Sequence, residues 1–418
     1  MSERFGLDFG TTNSSLAWAR DGEPPVLCAL DMRAANAHVL RSLLYYSLEE
    51  RGFVVGQRAI DEYLAEDMQG TLVQSVKTFL ADDSFEETWV YDRFYKLEDL
   101  IAVALRHVHA AIRELGADDV SLVIGRPAVF VDRPERESLA RDRMRKAAAL
   151  AGFAGVTFAY EPIAAGLAYE ASLTSPEVAL IADLGGGTSD FTVMRLGTGR
   201  TGDRRPDILA TGGVQIGGDT FDARITARRI TPHFGAGTTY RSMEGRDLPF
   251  PSHVLARLER WHHVPFLRDR RTRELLARLR ETASDPAAVV RLQTLVESNL
   301  SFFLFEQIEC VKAELSSKPE TVLRFDEGGM HIEEPITRAE FDALIASDRD
   351  AVARCMHAVL AKAGLEPAAV ESVFMTGGSA QIPTLRALFA DTFGEDKLRA
   401  RDYLTTVASG LAQAVGGD

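Results

Sequence analysis

Residues 6–13 read Gly6-Leu7-Asp8-Phe9-Gly10-Thr11-Thr12-Asn13, and residues 181–190 read Ile181-Ala182-Asp183-Leu184-Gly185-Gly186-Gly187-Thr188-Ser189-Asp190. Both stretches contain an apolar strand with a single aspartate, followed by glycine and then by threonine. Glycine in a tight turn lets backbone N–H groups approach phosphate oxygens, and threonine hydroxyls add further donors. One such loop is ordinary in an α/β protein, whereas two in one chain predict a duplicated phosphate-binding site.

The strand aspartates of the two stretches are candidate magnesium ligands. Mg²⁺ is usually held by one or two carboxylates together with substrate phosphates and water. We therefore predict that Asp8 and Asp183 hold the ion. The phosphate contacts are predicted at the loop residues Gly10, Thr11, Thr12, Asn13, Gly185, Gly186, Gly187 and Thr188.

The apolar runs predict alternating strands and helices in two halves of similar pattern. Strands are predicted at 4–9, 14–20, 26–30, 122–124, 156–159, 178–183, 191–196 and 372–375, and helices at 134–150, 163–171 and 383–393. We predict two lobes, residues 1–173 and 174–418. Each carries an inserted subdomain, at about 34–97 and at about 214–345, the second mostly helical. The helix at 163–171 is rich in small residues that permit close packing, so it is predicted to connect the lobes.

Composition sets limits on the class of protein. The 418 residues, 46% hydrophobic and 26% charged, are typical of a soluble protein with more than one core. A formal charge of -14 argues against nucleic acid or an anionic membrane as the partner. The three cysteines, Cys28, Cys310 and Cys355, are widely spaced and read as reduced thiols. With no signal peptide or membrane-length apolar run in the sequence, we predict a cytoplasmic location.

Five segments together resemble the ATPase domain of the heat-shock protein 70 (DnaK-like) family, a branch of the actin-like ATPases. They are the two loop stretches, Tyr160-Glu161-Pro162-Ile163-Ala164-Ala165-Gly166, Gly217-Gly218-Asp219-Thr220-Phe221-Asp222 and Thr376-Gly377-Gly378-Ser379. The chain looks closest to the truncated YegD-type branch. The resemblance implies an α/β actin-like fold, which is a duplicated ribonuclease H-like fold, with a nucleotide cleft between two lobes. It also implies ATP or ADP with Mg²⁺ as ligands. The sequence departs from the family after Ala408-Ser409-Gly410-Leu411-Ala412, where neither the apolar linker nor the peptide-binding β-domain of the chaperones follows, so we expect no peptide-binding domain.

The resemblance assigns roles to several side chains. Lys77 matches a lysine that reaches the γ-phosphate, and a compact ammonium suits that role. Glu161 matches a carboxylate that orients water, shared with Asp183; because Pro162 follows it, we expect Glu161 to lie outside the helix proper. Asp8, Lys77, Glu161 and Asp183 are thus the predicted catalytic set, and Asp190 is a secondary cation contact.

The nucleoside contacts are implied on further segments. Glu309, Lys312 and Ser316 fall on one face of a predicted helix, and the two glycines Gly217 and Gly218 belong to a matching segment. The opposing wall is implied at Gly377, Gly378 and Ser379. The chain has Ala313 and Gln381 where the family has arginines beside the adenine, which implies weaker nucleotide binding or looser base selectivity.

The predicted function is Mg-ATP binding with slow hydrolysis, in a chaperone-like switch that acts as a monomer with an unknown protein partner or client. Three alternatives stay open: a nucleotide sensor that does not hydrolyse, an actin-like filament ATPase, and a sugar kinase. The segment 248–280 is unusual because it contains Trp261, two histidines and a basic run. It reads either as a docking face or as a solvated helix surface, and the adjacent histidines lack the i,i+4 spacing of a metal site.

Overall fold

A computed structural model describes residues 3–20, 23–66, 69–117, 121–127, 134–170, 173–197, 204–400 and 406–414. The described residues form two compact units. The first unit is built from the ranges 1–215, 351–380 and 386–418, and the second from 216–350 and 381–385. Each unit is described here by itself.

Twenty strands lie within the described ranges. In chain order they are β1 (Glu3–Phe9), β2 (Asn13–Arg20), β3 (Val26–Leu27), β4 (Val39–Arg41), β5 (Leu43–Ser47), β6 (Gly52–Val55), β7 (Leu72–Gln74), β8 (Glu87–Val90), β9 (Arg93–Lys96), β10 (Ser121–Arg126), β11 (Val156–Tyr160), β12 (Glu177–Leu184), β13 (Ser189–Leu196), β14 (Ile208–Val214), β15 (Thr239–Arg241), β16 (Asp247–Pro249), β17 (Glu320–Phe325), β18 (Ile332–Thr337), β19 (Ser372–Thr376) and β20 (Leu398–Ala400).

The same ranges contain thirteen α-helices. They are α1 (Gly56–Ala65), α2 (Leu97–Glu114), α3 (Pro134–Leu150), α4 (Glu161–Glu170), α5 (Gly218–Ile225), α6 (Ser252–Leu258), α7 (Arg270–Thr282), α8 (Pro286–Glu297), α9 (Ser301–Leu315), α10 (Arg338–Leu344), α11 (Ala346–Ala363), α12 (Pro383–Phe393) and α13 (Thr406–Gln413). The strand predicted at 26–30 was too long, since β3 ends at Leu27; beyond it, the Cys28 N–H donates to the carbonyl of Leu16 at 2.9 Å.

The first unit contains a six-stranded sheet centred on β1. The strand order is β11-β10-β1-β2-β3, with β4 also paired to β2. β1 runs parallel to β10 and antiparallel to β2. Phe5, Leu7 and Phe9 on one face of β1 are at most 2% exposed. On the other face Gly6 allows α13 to approach, because a Cβ at residue 6 would lie 2.2 Å from the backbone nitrogen of Ala412.

A five-stranded sheet in the same unit repeats this arrangement. Its order is β14-β13-β12-β19-β20, so β12 takes the place of β1. β12 is antiparallel to β13 and parallel to β19, just as β1 is antiparallel to β2 and parallel to β10. Two glycine-containing hairpin turns, residues 10–12 and residues 185–188, therefore occupy equivalent places in the two sheets.

Two helices join the sheets, one following the last strand of each repeat. α4 follows β11 and packs on β12 and β13, while α13 comes after β20 and packs on β1 and β2. α4 and α13 touch through small residues: a Cβ on Gly410 would lie 1.7 Å from the carbonyl oxygen of Ala164. Glycine is required at this contact. The helix predicted at 163–171 corresponds to α4, and residue 171 lies outside the described ranges.

The predicted lobe boundary does not coincide with the division into units. Both repeated sheets belong to the first unit, together with the region of the first predicted insertion, where β5, β6 and β7 form a small sheet beside the β8–β9 hairpin. The second unit is mostly helical, with two hairpins, β15–β16 and β17–β18. The limits of the two lobes remain a prediction.

Candidate functional site

The first glycine loop is held closed by short-range contacts. A Cβ on Gly10 would lie 2.1 Å from the carbonyl oxygen of Asn13, so the turn accepts only glycine. Ser42 fixes the loop from the side: its hydroxyl donates to the Gly10 carbonyl at 2.9 Å, and its N–H donates to the Thr12 carbonyl at 2.8 Å. Sequence reasoning missed Ser42, because nothing in its neighbourhood signals a contact more than thirty residues back along the chain.

Asp8 and Asp183 occupy equivalent positions near the loop ends of β1 and β12. Asp8 lies opposite Ser15, whereas Asp183 lies opposite Asp190. The second repeat therefore carries one more carboxylate. Gly213 on β14 makes room for it, because a Cβ at residue 213 would lie 2.2 Å from Oδ1 of Asp190. This glycine was also missed, since a lone glycine in a strand carries no specific signal.

Lys77 and Glu161 form an ion pair close to these aspartates. Nζ of Lys77 donates to Oε1 of Glu161 at 3.1 Å, and the two side chains are 12% and 11% exposed. Lys77 lies in a short 3₁₀ turn that begins after Ser75, whose backbone is left-handed at φ 51°. The N–H of Ser75 donates to the Ser42 carbonyl at 2.9 Å, which connects this turn to the first glycine loop.

The prediction that Glu161 lies outside the helix was wrong. Glu161 is the first residue of α4. Pro162 is compatible with this, because the first turn of a helix has no intrahelical partner for its N–H groups. A Cβ on Gly125 of β10 would lie 2.9 Å from Cγ of Glu161, so this glycine gives the glutamate its space.

The cluster of Asp8, Lys77, Glu161, Asp183 and Asp190 carries more negative than positive charge. Burial, followed by the charge of Glu161, raises the pKa of Asp8 to about 7. The same two causes, with Asp190 and Asp8 added, raise the pKa of Asp183 well above its usual range. Burial raises the pKa of Asp190 to about 6, although the Thr188 hydroxyl donates to it at 2.7 Å. Burial disfavours the charged ammonium of Lys77, but Glu161 and Asp8 outweigh it and raise its pKa.

This donor set fits a hydrated magnesium ion. The described residues contain no group of three or more His, Cys, Asp or Glu side chains arranged to hold a metal by themselves. Asp8, Asp183 and Asp190 are hard oxygen donors whose mutual repulsion a divalent cation would relieve. Such a set is what a Mg²⁺ site needs when phosphates and water complete the coordination.

The Gly377-Gly378-Ser379 loop packs against the second hairpin. Gly377 has φ +83°, and a Cβ there would lie 2.3 Å from the Leu184 carbonyl oxygen and 3.0 Å from Oδ1 of Asp183. The Ser379 hydroxyl donates to the Gly185 carbonyl at 3.0 Å. Gly377 and Ser379 thus support the second glycine loop directly, within the first unit.

The remaining predicted residues lie in the second unit. Nζ of Lys312 on α9 donates to Oδ2 of Asp222 at 2.7 Å and to the Gly218 carbonyl at 3.3 Å. The structure therefore brings Lys312 to Gly218, which opens α5 directly after Gly217. Ser316 is the first residue after α9, and its hydroxyl donates to the Lys312 carbonyl at 3.4 Å. Glu309 is exposed on α9.

A sequence model of the family described as "Hsp70 protein" matches residues 52–248 and 297–416. The chain belongs to the Hsp70 family. This membership confirms the predicted α/β actin-like ATPase fold, and the repeated sheets agree with it. The YegD-type branch within the Hsp70 family remains a prediction.

Relatives of the Hsp70 family match almost the whole chain. The chaperone protein DnaK of Thermosipho africanus is 26% identical over 97% of this chain and 58% of its own length. The DnaK of Trichormus variabilis is 27% identical over 100% of this chain and 54% of its own length. The chain thus spans between half and two thirds of the length of these relatives. Across the described ranges, no helix combines the length and hydropathy that a membrane span requires.

Proposed function

We propose that this Hsp70-family chain binds Mg·ATP and hydrolyses it slowly. The observation that carries the proposal is the Lys77–Glu161 pair, 3.1 Å apart and largely buried beside Asp8 and Asp183. Phosphoryl transfer to water depends on positioning and on charge stabilisation. A cation, a water-orienting carboxylate and metal-binding carboxylates are the required parts, and the first unit contains a candidate side chain for each.

Each side chain has a proposed task. The Lys77 ammonium neutralises charge that develops on the transferred phosphoryl group, while Glu161 accepts a hydrogen bond from the attacking water and orients it. Asp8 and Asp183 hold the metal ion, with Asp190 as a further contact. Mg²⁺, when bound, would neutralise phosphate charge and allow these raised-pKa carboxylates to ionise. Loop N–H groups and the hydroxyls of Thr11, Thr12 and Thr188 are proposed to hold the phosphates.

The nucleoside assignments are supported only by contacts within the second unit. Lys312 is held by Asp222 and by the Gly218 carbonyl, so its ammonium has a fixed position. We propose that Lys312, Glu309 and Ser316 bind the ribose and base through donors and acceptors of this kind. The Lys312–Gly218 contact supports this because Gly217 and Gly218 belong to the same predicted set.

The test measures binding and turnover separately. Calorimetry with ATP and Mg²⁺ should show binding, and phosphate release should be slow but above the background of the uncatalysed reaction. Binding without phosphate release would favour the nucleotide sensor. Phosphate transfer to a panel of sugars would favour the kinase, and sedimentation with ATP would reveal a filament. Absence of any ATP binding would refute the proposal.

The last part of the proposal concerns a protein partner. The relatives are named chaperones, and we propose that a cytoplasmic protein partner or client reads the nucleotide state of a monomeric chain. Hydrogen exchange with ATP, with ADP and without nucleotide tests this. Protection confined to the glycine loops, with residues 214–345 unchanged, would leave a simple slow ATPase.

A further inference from the structure

The chain segment 79–85 is bound to α3 by a single arginine. Nη1 of Arg143 donates to three backbone carbonyls, those of Phe79 at 3.0 Å, Leu80 at 3.2 Å and Asp82 at 2.8 Å. Nη2 of the same side chain donates to the carbonyl of Phe85 at 2.7 Å. Arginine suits such a contact, because its planar guanidinium presents several donors in a fixed arrangement. The segment is thus attached to the helix through its backbone.

Arg143 projects from a helix that is itself fixed in the core of the first unit. Three side chains of α3 are at most 4% exposed, those of Ala140, Met144 and Ala147. The helix also packs against α2. The segment 79–85 has packing of its own, since the rings of Phe79 and Phe85 lie 4.8 Å apart. Arg143 therefore ties a packed loop to a rigid support.

The bound segment continues directly from the turn that carries Lys77. That turn, Val76–Phe79, is a short 3₁₀ helix, a form whose hydrogen-bond geometry is poorer than that of an α-helix. The N–H of Leu80 donates to the Lys77 carbonyl at 3.1 Å, while the carbonyl of Leu80 accepts from Arg143. One residue thus connects the backbone of Lys77 to the guanidinium.

We propose that Arg143 is a positioning residue for hydrolysis, which fixes the turn of Lys77 so that the ammonium is in place before the phosphoryl group is transferred. The inference rests on the proposed phosphoryl transfer and adds a residue that acts through Lys77, not on the nucleotide itself. Electrostatic stabilisation of a transition state is effective when the stabilising groups are already in position. Loss of the Arg143 contacts should therefore slow phosphate release more than it weakens ATP binding.

The competing explanation is a purely structural role for Arg143. In that case the guanidinium stabilises the first unit, and its loss lowers the unfolding midpoint without acting through Lys77. The two explanations differ once the lysine has been removed. A positioning residue has nothing left to position in a Lys77→Ala chain, whereas a structural residue causes the same loss in both backgrounds.

The experiment is a double-mutant cycle on phosphate release at saturating Mg·ATP, measured in single turnovers. Arg143→Met should lower the rate about 10- to 100-fold in the wild-type chain, because a misplacement of roughly 1 Å can cost about 10²-fold. In the Lys77→Ala chain the same substitution should change the remaining rate by less than about twofold. If circular dichroism shows that Arg143→Met is unfolded, Arg143→Lys replaces it in the cycle, since lysine keeps the charge and loses the planar fork.

The matched control is Arg136→Met. Arg136 also lies on α3, but its Nη2 donates to the side chain of Asp83 at 3.0 Å, near the surface. Loss of such an exposed ion pair should change turnover by less than about twofold. Calorimetry on the same proteins should show ATP binding retained in Arg143→Met and in Arg136→Met.

Hydrogen exchange gives a readout that needs no turnover. The amides of residues 77–85 should exchange faster in Arg143→Met than in the wild type or in Arg136→Met, because their local structure has lost its attachment to α3. Equal rate losses in the wild-type and Lys77→Ala backgrounds, or unchanged exchange at residues 77–85, would overturn the positioning role while leaving the proposed hydrolysis intact. A wild type that releases no phosphate would refute the proposed hydrolysis, and this inference with it.

Discussion

Two lysines of this chain lie in pockets of carboxylates, yet their surroundings differ in kind. Lys77 donates to Glu161 at 3.1 Å, and its charge also acts on the nearby Asp8, Asp183 and Asp190, whose pKa values stay raised. Lys312 donates to Asp222 at 2.7 Å and to a backbone carbonyl at 3.3 Å. The Lys77 cluster has excess negative charge, whereas the Lys312 ammonium has two fixed acceptors.

This difference suggests a separate task for each lysine cluster, catalysis for one and the positioning of a binding surface for the other. Carboxylates whose pKa is raised by burial and by mutual repulsion are poised to take a metal ion and to release protons when it binds. The Lys312 site also contains buried carboxylates with raised pKa values, because burial raises the pKa of Asp222 to about 6 and that of Asp219, but the charge of Lys312 lowers both. We infer that the Lys77 cluster serves phosphoryl transfer, while the Lys312 cluster holds a binding surface in place.

The largest expected effect is on folding, at the Lys312 cluster. Lys312→Met leaves Asp222 as a buried charge without its partner, which costs about 3 to 5 kcal/mol of unfolding free energy. Urea denaturation of the nucleotide-free protein measures it. Lys318→Met, which removes an exposed lysine paired with Glu314 at 2.8 Å, is the matched control and should change stability by less than about 1 kcal/mol.

Adding Asp222→Leu to Lys312→Met should recover much of this loss, because a buried ion pair can be replaced by apolar side chains. A double variant as unstable as Lys312→Met would mean that Lys312 stabilises the unit through packing and not through its charge.

The next effect is catalytic and concerns the Lys77 cluster. Lys77→Ala and Glu161→Ala should each lower phosphate release by about 10²- to 10³-fold, the usual result of removing one electrostatic contact to the transition state. Nucleotide binding should persist in both variants. The control is Lys146→Ala, an exposed lysine 3.3 Å from Glu98. Normal turnover in both cluster variants would show that the catalytic assignment is wrong.

The third prediction concerns pH and the excess charge of the Lys77 cluster. The pKa of Asp8 is about 7 in the folded state and near 3.8 in the unfolded chain, so the folded state binds the proton more tightly. Its contribution to stability is therefore largest below pH 4 and falls as the pH rises toward 7. When the pH is raised from 5 to 8, the unfolding free energy of Asp8→Asn should therefore increase relative to that of wild type by about 1 to 3 kcal/mol.

Denaturation of the metal-free protein at both pH values measures this gain. The exposed residue Asp247 provides the matched surface control, Asp247→Asn. A wild type and an Asp8→Asn variant with parallel pH profiles would show that Asp8 is ionised in the folded state without cost.

The sequence predicted the glycine loops and their aspartates because local rules govern both. A strand that ends in glycine and threonine needs no distant partner to be recognised, and β1, β12 and β19 lie where the apolar runs placed them. The role of Lys77 came from family resemblance, and the contact with Glu161 joins residues 84 positions apart. The supporting residues Ser42, Gly125 and Gly213 act through long-range packing, which no local pattern contains.

The wrong prediction for Glu161 also arose because a local sequence pattern does not contain long-range packing. The residue before a proline is usually disfavoured in a helix, so the sequence suggested an extended Glu161. In the fold, Glu161 begins α4 directly at the end of β11 and is held over Gly125. Tertiary packing at the end of the strand outweighs the local preference, and that packing is visible only once β10 and β11 lie side by side in the sheet.

The smallest expected effect tests what the Lys312 cluster binds. Ala313 is exposed on α9 beside Lys312, so Ala313→Arg can place a guanidinium over a base bound there without displacing a buried group. A cation–π contact of this kind contributes about 0.5 to 2 kcal/mol, which is a gain of roughly 2- to 30-fold in ATP affinity. Calorimetry should show the gain for ATP and ADP and none for tripolyphosphate. Ala313→Gln, similar in length but uncharged, should give no comparable gain. If Ala313→Arg binds ATP with unchanged affinity, the base does not lie against this part of α9, and the Lys312 cluster has a purely structural role.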